Sequence, residues 1–222
     1  MKLYKAKDRG NADYGWLKTN YSFSFADYYN LNMMNYGALR VLNDDIISPG
    51  QGFPNHPHKD MEIITVVLKG ELKHLDNIGK SAILTPGWIQ VMSAGSGIIH
   101  SEFNNSKTDS LELFQIWVQT KSRIAPRHEE KKFTFETGWT IVAGESALFI
   151  NQDAKVSLGK FGAGEKVTLK PAAKKGIYLM VIGGELESNG IAVLRRDAIS
   201  FEEELNFKTI KKSFLLQIEV PL

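Results

Sequence analysis

From Ala38 onward the chain consists of short runs of β-branched and aromatic residues separated by turn signals. The clearest runs are ALRVLNDD, MEIITVVLKG, SAILTPGWIQVMSAGSG and LELFQIWVQ. None of them shows the periodicity of a long helix, and this length and spacing are typical of strands in a sandwich or barrel. The sequence therefore predicts an all-β fold.

A charged segment interrupts this pattern near the middle of the chain. Residues 121–135, KSRIAPRHEEKKFTF, contain Pro126 and suit a crossing between two units. After it, strand-like runs return as GEKVTL, YLMVIGGELESNG and IAVLRRDAISF, in the order of strands and glycine turns that the first half also shows. We therefore predict an internal duplication, with domains over residues 1–122 and 123–222.

Composition and charge exclude several classes of function. The 27 basic and 25 acidic residues alternate along the chain, so no basic surface for nucleic acid is indicated. The chain has no cysteine, which excludes disulfides, thiolate metal ligands and a cysteine nucleophile. MKLYKAKDRGNADYG lacks the apolar core of a signal peptide, and no segment is apolar over ~18 residues. We expect a cytoplasmic monomer that binds neither nucleic acid nor membranes.

Two pairs of candidate metal ligands have the same spacing. His56 and His58 lie two apart in NHPHKDMEI, so on an extended chain their imidazoles project to one side. Further along, IIHSEF places His100 and Glu102 two apart in the same way. Two such pairs on neighbouring strands can enclose one ion. Glu62 has the parity of His58 and would point into the same cavity if the strand stays regular.

The donor types indicate the class of metal. Imidazoles and a carboxylate without thiolate suit a reactive transition-metal site better than a structural zinc site, which usually contains cysteines. A metal that prefers five or six ligands then keeps positions for water, O₂ or a chelating substrate. We predict one divalent transition metal, with Fe(II) first and Mn, Ni, Co, Cu and Zn as alternatives.

The other two histidines have no partner at ligand spacing. We expect His74 to occupy an exposed strand position and His128 to be solvated within the interrupting segment. No histidine follows Glu129, so the second unit cannot repeat a three-histidine site and is expected to be structural.

An aromatic segment, NYSFSFADYYN, precedes the strand pattern. Tyr21, Phe23 and Phe25 would share one face of a strand. We expect this face to close the barrel, with stacking on a substrate as the alternative.

Two segments resemble the cupin motifs in the form used by the pirin family. GQGFPNHPHKDMEIITVVLKG is similar to the first motif, with its glycine, His-x-His pair and later glutamate. TPGWIQVMSAGSGIIHSEFN resembles the second, with a Pro-Gly turn, Gln-x-Met-x-Ala-Gly and His-Ser-Glu. RGNADYGWLKTNYSFSFADYYN and LRVLNDDIISPGQGF extend the resemblance over nearly all of residues 8–120. In the C-terminal half it rests mainly on length and strand order.

The resemblance implies a fold and a ligand set. The fold is a bicupin, with two tandem double-stranded β-helix (jelly-roll) barrels, of which the first binds metal and the second is degenerate. The implied metal ligands are His56, His58, His100 and Glu102. Glu62 would orient a ligand or a water molecule instead of binding the metal.

The resemblance also implies an activity. Bacterial pirin-like proteins are described as quercetin 2,3-dioxygenases, so we expect a metal-dependent dioxygenase that cleaves flavonols such as quercetin with O₂. Its substrate would be a small aromatic chelator, and Glu102 would be the catalytic proton acceptor. The alternative is a redox- or metal-responsive regulatory protein without turnover, because eukaryotic pirins are associated with transcriptional partners. A cupin isomerase or sugar-binding protein is a third reading.

Overall fold

The computed structural model describes residues 1–222 and consists almost entirely of β-strands. Its helices are two single 3-10 turns, Ala6–Asp8 and Leu31–Met33, and neither is long and apolar enough to cross a membrane. The strands, in chain order, are β1 (Lys2–Tyr4), β2 (Gly10–Asp13), β3 (Leu17–Tyr21), β4 (Leu39–Ile47), β5 (Gly52–His58), β6 (Met61–Lys69), β7 (Leu72–Asp76), β8 (Ser81–Leu84), β9 (Trp88–Ser93), β10 (Ile98–Asn104), β11 (Leu111–Gln119), β12 (Arg127–Lys132), β13 (Gly138–Ala143), β14 (Lys155–Phe161), β15 (Lys166–Leu169), β16 (Lys175–Gly183), β17 (Glu185–Ser188), β18 (Ile191–Leu194), β19 (Ala198–Phe201), β20 (Leu205–Thr209) and β21 (Ser213–Pro221).

The strands form two barrels of two sheets each. In the first barrel a four-stranded sheet, in the order β5-β10-β7-β8, faces a seven-stranded sheet, β12-β9-β6-β11-β4-β3-β2. The second barrel combines β1-β19-β16-β21-β14-β13 with β15-β20-β17-β18. The predicted all-β fold with two barrels is confirmed.

Two edge strands do not follow the predicted division after residue 122. β12 lies in the charged interrupting segment, yet it pairs with β9 of the first barrel, from Arg127 opposite Ser93 to Lys132 opposite Trp88. β1, at the N-terminus, pairs with β19 of the second barrel. The sequence analysis did not predict β12 as a strand because the segment is charged. An edge strand tolerates charged residues on its solvent side. The boundary itself stays a prediction.

A shared core of 25 buried residues joins the two barrels. Phe114 and Ile116 of β11 contribute from the first barrel, and Leu216 and Ile218 of β21 contribute from the second. Each pair lies on one face of its strand, since residues two apart share a face. The second barrel therefore covers one sheet of the first.

Truncating this shared core should destabilise the whole protein. Leu216 is fully buried in it, so Leu216→Ala is expected to lower the free energy of unfolding by about 2–5 kcal/mol. Denaturant titration of the metal-free protein measures this. The matched control is Leu31→Ala, because Leu31 is 74% exposed and its loss should cost less than about 0.5 kcal/mol. Equal, small effects of both variants would show that the barrels do not depend on this core.

Candidate metal centre

Strand β10 brings the candidate ligands together. It lies between β5 and β7, and His100 is opposite His56 on β5 and opposite Asp76 on β7. The register of β10 against β5 shifts between His100 and Glu102, so that Glu102 lies opposite Phe53.

Three imidazoles form a compact cluster. The ring centroids are 4.7 Å apart for His56 and His58, 4.3 Å for His56 and His100, and 4.9 Å for His58 and His100. One nitrogen from each ring lies within 4.8 Å of the other two. Three such nitrogens can bind the same ion.

The free nitrogens of this cluster fit a transition metal. Nδ1 of His56 lies 2.7 Å from the carbonyl oxygen of Pro54, to which it donates, so Nε2 keeps its lone pair. Nε2 of His100 is buried and has no hydrogen-bond partner. Because a buried polar atom without a partner costs free energy, its presence beside two further imidazoles indicates a metal ligand.

The electrostatics favour neutral imidazoles. Burial lowers the pKa of His58 to about 4, and the neighbouring His56 acts in the same direction. Burial likewise lowers the pKa of His100 to about 3, against the opposing effect of Glu102. Both rings are therefore uncharged at neutral pH, which is the form of imidazole that binds metals.

Glu102 lies beside this cluster and is held by amides. It is 2% exposed, and its two oxygens accept from Nε2 of Gln90 at 3.2 Å and from Nε2 of Gln115 at 2.5 Å. Burial alone would raise the pKa of Glu102, but the imidazoles of His74, His100 and His56 outweigh it and lower the value to about 2. The carboxylate is therefore ionised throughout the neutral range.

The predicted ligands fall into two overlapping groups. His56, His58 and His100 form one, and Glu102 joins His100 and His74 in the other. The set of four ligands around one ion therefore stays a prediction.

Glu62 does not face the centre. β5 ends at His58 and β6 begins at Met61, and Asp60 between them has a positive φ of 52°, so the regular alternation is broken. Glu62 lies on the same face of β6 as Ile64, which packs in the core between the barrels. Its Oε2 accepts a hydrogen bond from Ser93 Oγ at 2.6 Å. The expectation that Glu62 orients a ligand or water at the metal was wrong.

His74 and His128 are buried, so the predictions of exposed and solvated side chains were wrong. Both imidazoles flank the carboxylate of Asp76, whose Oδ2 lies 3.1 Å from Nε2 of His74 and 2.9 Å from Nδ1 of His128. Nε2 of His128 in turn lies 3.2 Å from Glu130, which is partly exposed. His74 and Asp76 have the two-residue spacing of His56 and His58, and that signal could have identified them.

This network connects His100 to Asp76 through His74. Nδ1 of His100 lies 3.4 Å from Nδ1 of His74. If Nε2 of His100 binds a metal, the proton of His100 is on Nδ1; in its neutral form His74 then accepts at Nδ1 and donates from Nε2–H to Asp76. Asp76 therefore holds both rings in the orientation that metal binding needs.

Replacing Asp76 with asparagine should weaken metal binding. The amide would donate to His74, whose other nitrogen would then donate to His100 and place the His100 proton on the metal side. We expect an affinity loss of about 10–100-fold in a chelator-competition titration. Asp13→Asn is the control, because Oδ1 of Asp13 accepts from Gly15 in the same kind of turn that Asp76 makes. An unchanged affinity in Asp76→Asn would contradict the argument.

The imidazoles line a cavity of about 230 Å³. This is slightly below the usual ~300–1,000 Å³ of small-molecule sites. Its apolar lining includes Phe25, Phe53, Ile63 and Trp117. Trp117 packs edge-on against His58, with 4.8 Å between ring centroids.

The aromatic segment divides between two environments. Tyr21 and Phe25 line the cavity, whereas Phe23 is buried in the interbarrel core, 5.5 Å from Tyr178 between ring centroids. The three do not share a strand face because β3 ends at Tyr21. Barrel closure and contact with the cavity are therefore separate roles of different residues.

Comparisons with known proteins extend these observations. Residues 3–118 match the family model described as Pirin, and residues 142–220 match a model described as the quercetinase C-terminal cupin domain. The quercetin 2,3-dioxygenase of Escherichia coli K12 is 38% identical over 226 residues, covering 99% of this chain and 98% of that protein. A pirin-like protein of Caulobacter vibrioides is 43% identical over 206 residues, covering 88% of each. The crystal structure of the bacterial pirin YhhW from E. coli in complex with nickel(II) superposes with a TM-score of 0.94 at 38% identity, over 99% of this chain and 98% of that one.

Proposed function

Because the chain belongs to the pirin family and has its two cupin domains, we propose that it is a metal-dependent dioxygenase that cleaves flavonols such as quercetin with O₂. The metal would be held by His56, His58, His100 and Glu102, and Fe(II) is the first candidate. The observation that carries the proposal is the cluster of three imidazoles at a partly aromatic cavity.

In the proposed reaction the metal, Glu102 and the aromatic side chains have different roles. A bound divalent metal would supply Lewis-acid polarisation of a chelating hydroxyl and carbonyl, together with access for O₂. Glu102 would accept the hydroxyl proton, while Gln90 and Gln115 keep its carboxylate in place. Its low pKa means that it accepts this proton only from a strongly acidified hydroxyl. The aromatic side chains Phe25, Phe53 and Trp117 would contact the rings of the substrate and exclude water.

The proposed activity is tested with purified protein loaded anaerobically with Fe(II), Mn, Ni, Co or Cu in separate samples. After quercetin and oxygen are added, we expect the flavonol absorbance to disappear with at least one metal. Metal content is measured on the same samples. Retained metal with no loss of absorbance in any sample would refute the dioxygenase proposal. Partner binding that differs between Fe(II) and Fe(III), again without product, would support the regulatory alternative instead.

A further inference from the structure

Two adjacent aspartates on β4 lie in opposite environments. Oδ2 of Asp44 is 2.8 Å from Nε of Arg196 and 3.3 Å from Nη2 of Arg9, so two guanidinium groups compensate its charge. Asp45 lines the metal-site cavity and is 3% exposed, and its Oδ1 has no hydrogen-bond partner. Successive side chains of a strand point to opposite faces, which explains the contrast. A buried carboxyl group without a cation is costly and is typical of a functional position.

Asp45 is one of three such groups on the same cavity wall. Thr19 lies opposite Asp45 on β3, and Asn43 is two residues before Asp45 on β4. Oγ1 of Thr19, Oδ1 of Asn43 and Oδ1 of Asp45 are all buried without a partner, and all three residues line the cavity. Each unsatisfied group costs about 1–3 kcal/mol. Three of them in one wall indicate a surface that is completed by a ligand.

We propose that Thr19, Asn43 and Asp45 form a polar wall that recognises a hydroxyl group of the substrate other than the one facing the imidazoles. This inference rests on the proposed function and specifies its substrate class. The polar wall belongs to the seven-stranded sheet, whereas the imidazoles belong to the opposite, four-stranded sheet. A molecule between them must present a chelating edge to one sheet and a further hydroxyl to the other.

The chemistry of the wall selects a hydrogen-bond donor. Asn43 and Asp45 offer free acceptor oxygens, and Thr19 can accept or donate. A carboxylate or phosphate ligand would instead be repelled by the ionised Glu102, and by Asp45 in its ionised form. Burial raises the pKa of Asp45 to about 7 against the opposing effect of the neighbouring Thr19 hydroxyl, and the charges of Asp44 and Glu102 act in the same direction as burial. A polyhydroxylated aromatic chelator fits these requirements, since its phenolic hydroxyls donate to such oxygens.

Two flavonols distinguish the contribution of the polar wall to ligand affinity from that of the metal centre. Quercetin has several phenolic hydroxyls, whereas 3-hydroxyflavone keeps the chelating hydroxyl and carbonyl and has no other hydroxyl. In the metal-loaded wild type without oxygen, at a pH about one unit above the pKa of Asp45, we expect quercetin to bind about 10–100-fold more tightly, the range for a hydrogen bond to a charged group. In Asp45→Ala this preference should nearly vanish through weaker quercetin binding, with the affinity for 3-hydroxyflavone unchanged. Titration calorimetry measures all four dissociation constants.

The controls keep the outcomes distinct. Asp13→Asn, a surface change on the same sheet, should leave the preference unaltered. Asp45→Asn keeps the volume of the side chain and removes its charge, so this variant should fold at least as stably as wild type. It should lower the preference for quercetin several-fold. This result tests the polar wall even if Asp45→Ala fails to fold. A preference that persists in the Asp45 variants, or equal losses for both flavonols, would overturn the polar wall alone. If the preference for quercetin depends on Asp45 but no flavonol is consumed in oxygen, the polar wall is supported and the proposed dioxygenase activity is refuted. Binding of neither flavonol by wild type would refute both.

Discussion

Replacing both His56 and His58 with alanine is expected to reduce bound metal from close to one ion per chain to almost none. These residues supply two of the three clustered imidazoles, and His100 with Glu102 alone leaves too few donors for a stable site. Elemental analysis of protein purified without added metal measures the effect. Metal should also raise the melting temperature of the wild type and leave that of the variant unchanged, because only a ligand of the folded state stabilises it.

The control for this variant replaces two neighbours that lie on the outside of the same segment. Asn55 and Lys59 are exposed, so Asn55→Ala with Lys59→Ala should retain the full metal content. A double-histidine variant that still binds one metal per chain would show that the imidazole cluster is not the metal site.

Replacing Glu102 with glutamine should lower kcat/KM for the flavonol by about 10²–10⁴-fold in metal-saturated protein, the range for loss of a general acid or base. The amide cannot accept the proton. It also cannot accept from both Gln90 and Gln115, since only one of its two terminal atoms is an acceptor. Steady-state kinetics on samples of known metal content measure the effect.

Two outcomes of this experiment have different meanings. If turnover falls only in proportion to metal content, Glu102 acts as a ligand and the proton acceptor lies elsewhere. Near-wild-type turnover at full metal content would contradict both roles. The matched control is Glu71→Gln, because Glu71 is exposed and does not line the cavity.

The sequence predicted those parts of the site that depend on local spacing. His56 and His58 project together because alternate residues of an extended strand share a side. The same rule extended to Glu62 failed, because the chain turns at Asp60 between two strands and the alternation restarts on the other face. The rule therefore holds within a strand and does not pass through a turn.

The residues that the sequence analysis misplaced are those whose environment is set by distant strands. His128 belongs to a charged edge strand that pairs with β9, and its burial arises from Asp76 and His74, more than fifty residues earlier in the chain. Asp44 and Asp45 look equivalent in LRVLNDDIIS. Only the tertiary structure gives one of them two arginines and places the other in the wall of the metal-site cavity.

By itself, the sequence determined the all-β class, the repetition of the barrel and two pairs of candidate metal ligands, because strand alternation and donor chemistry are properties of neighbouring residues; the choice of these four over Glu62 came from the resemblance to the pirin family. The tertiary structure decided which buried polar groups are compensated and which face the cavity, because hydrogen bonds and burial depend on the register of strands that are far apart in the chain.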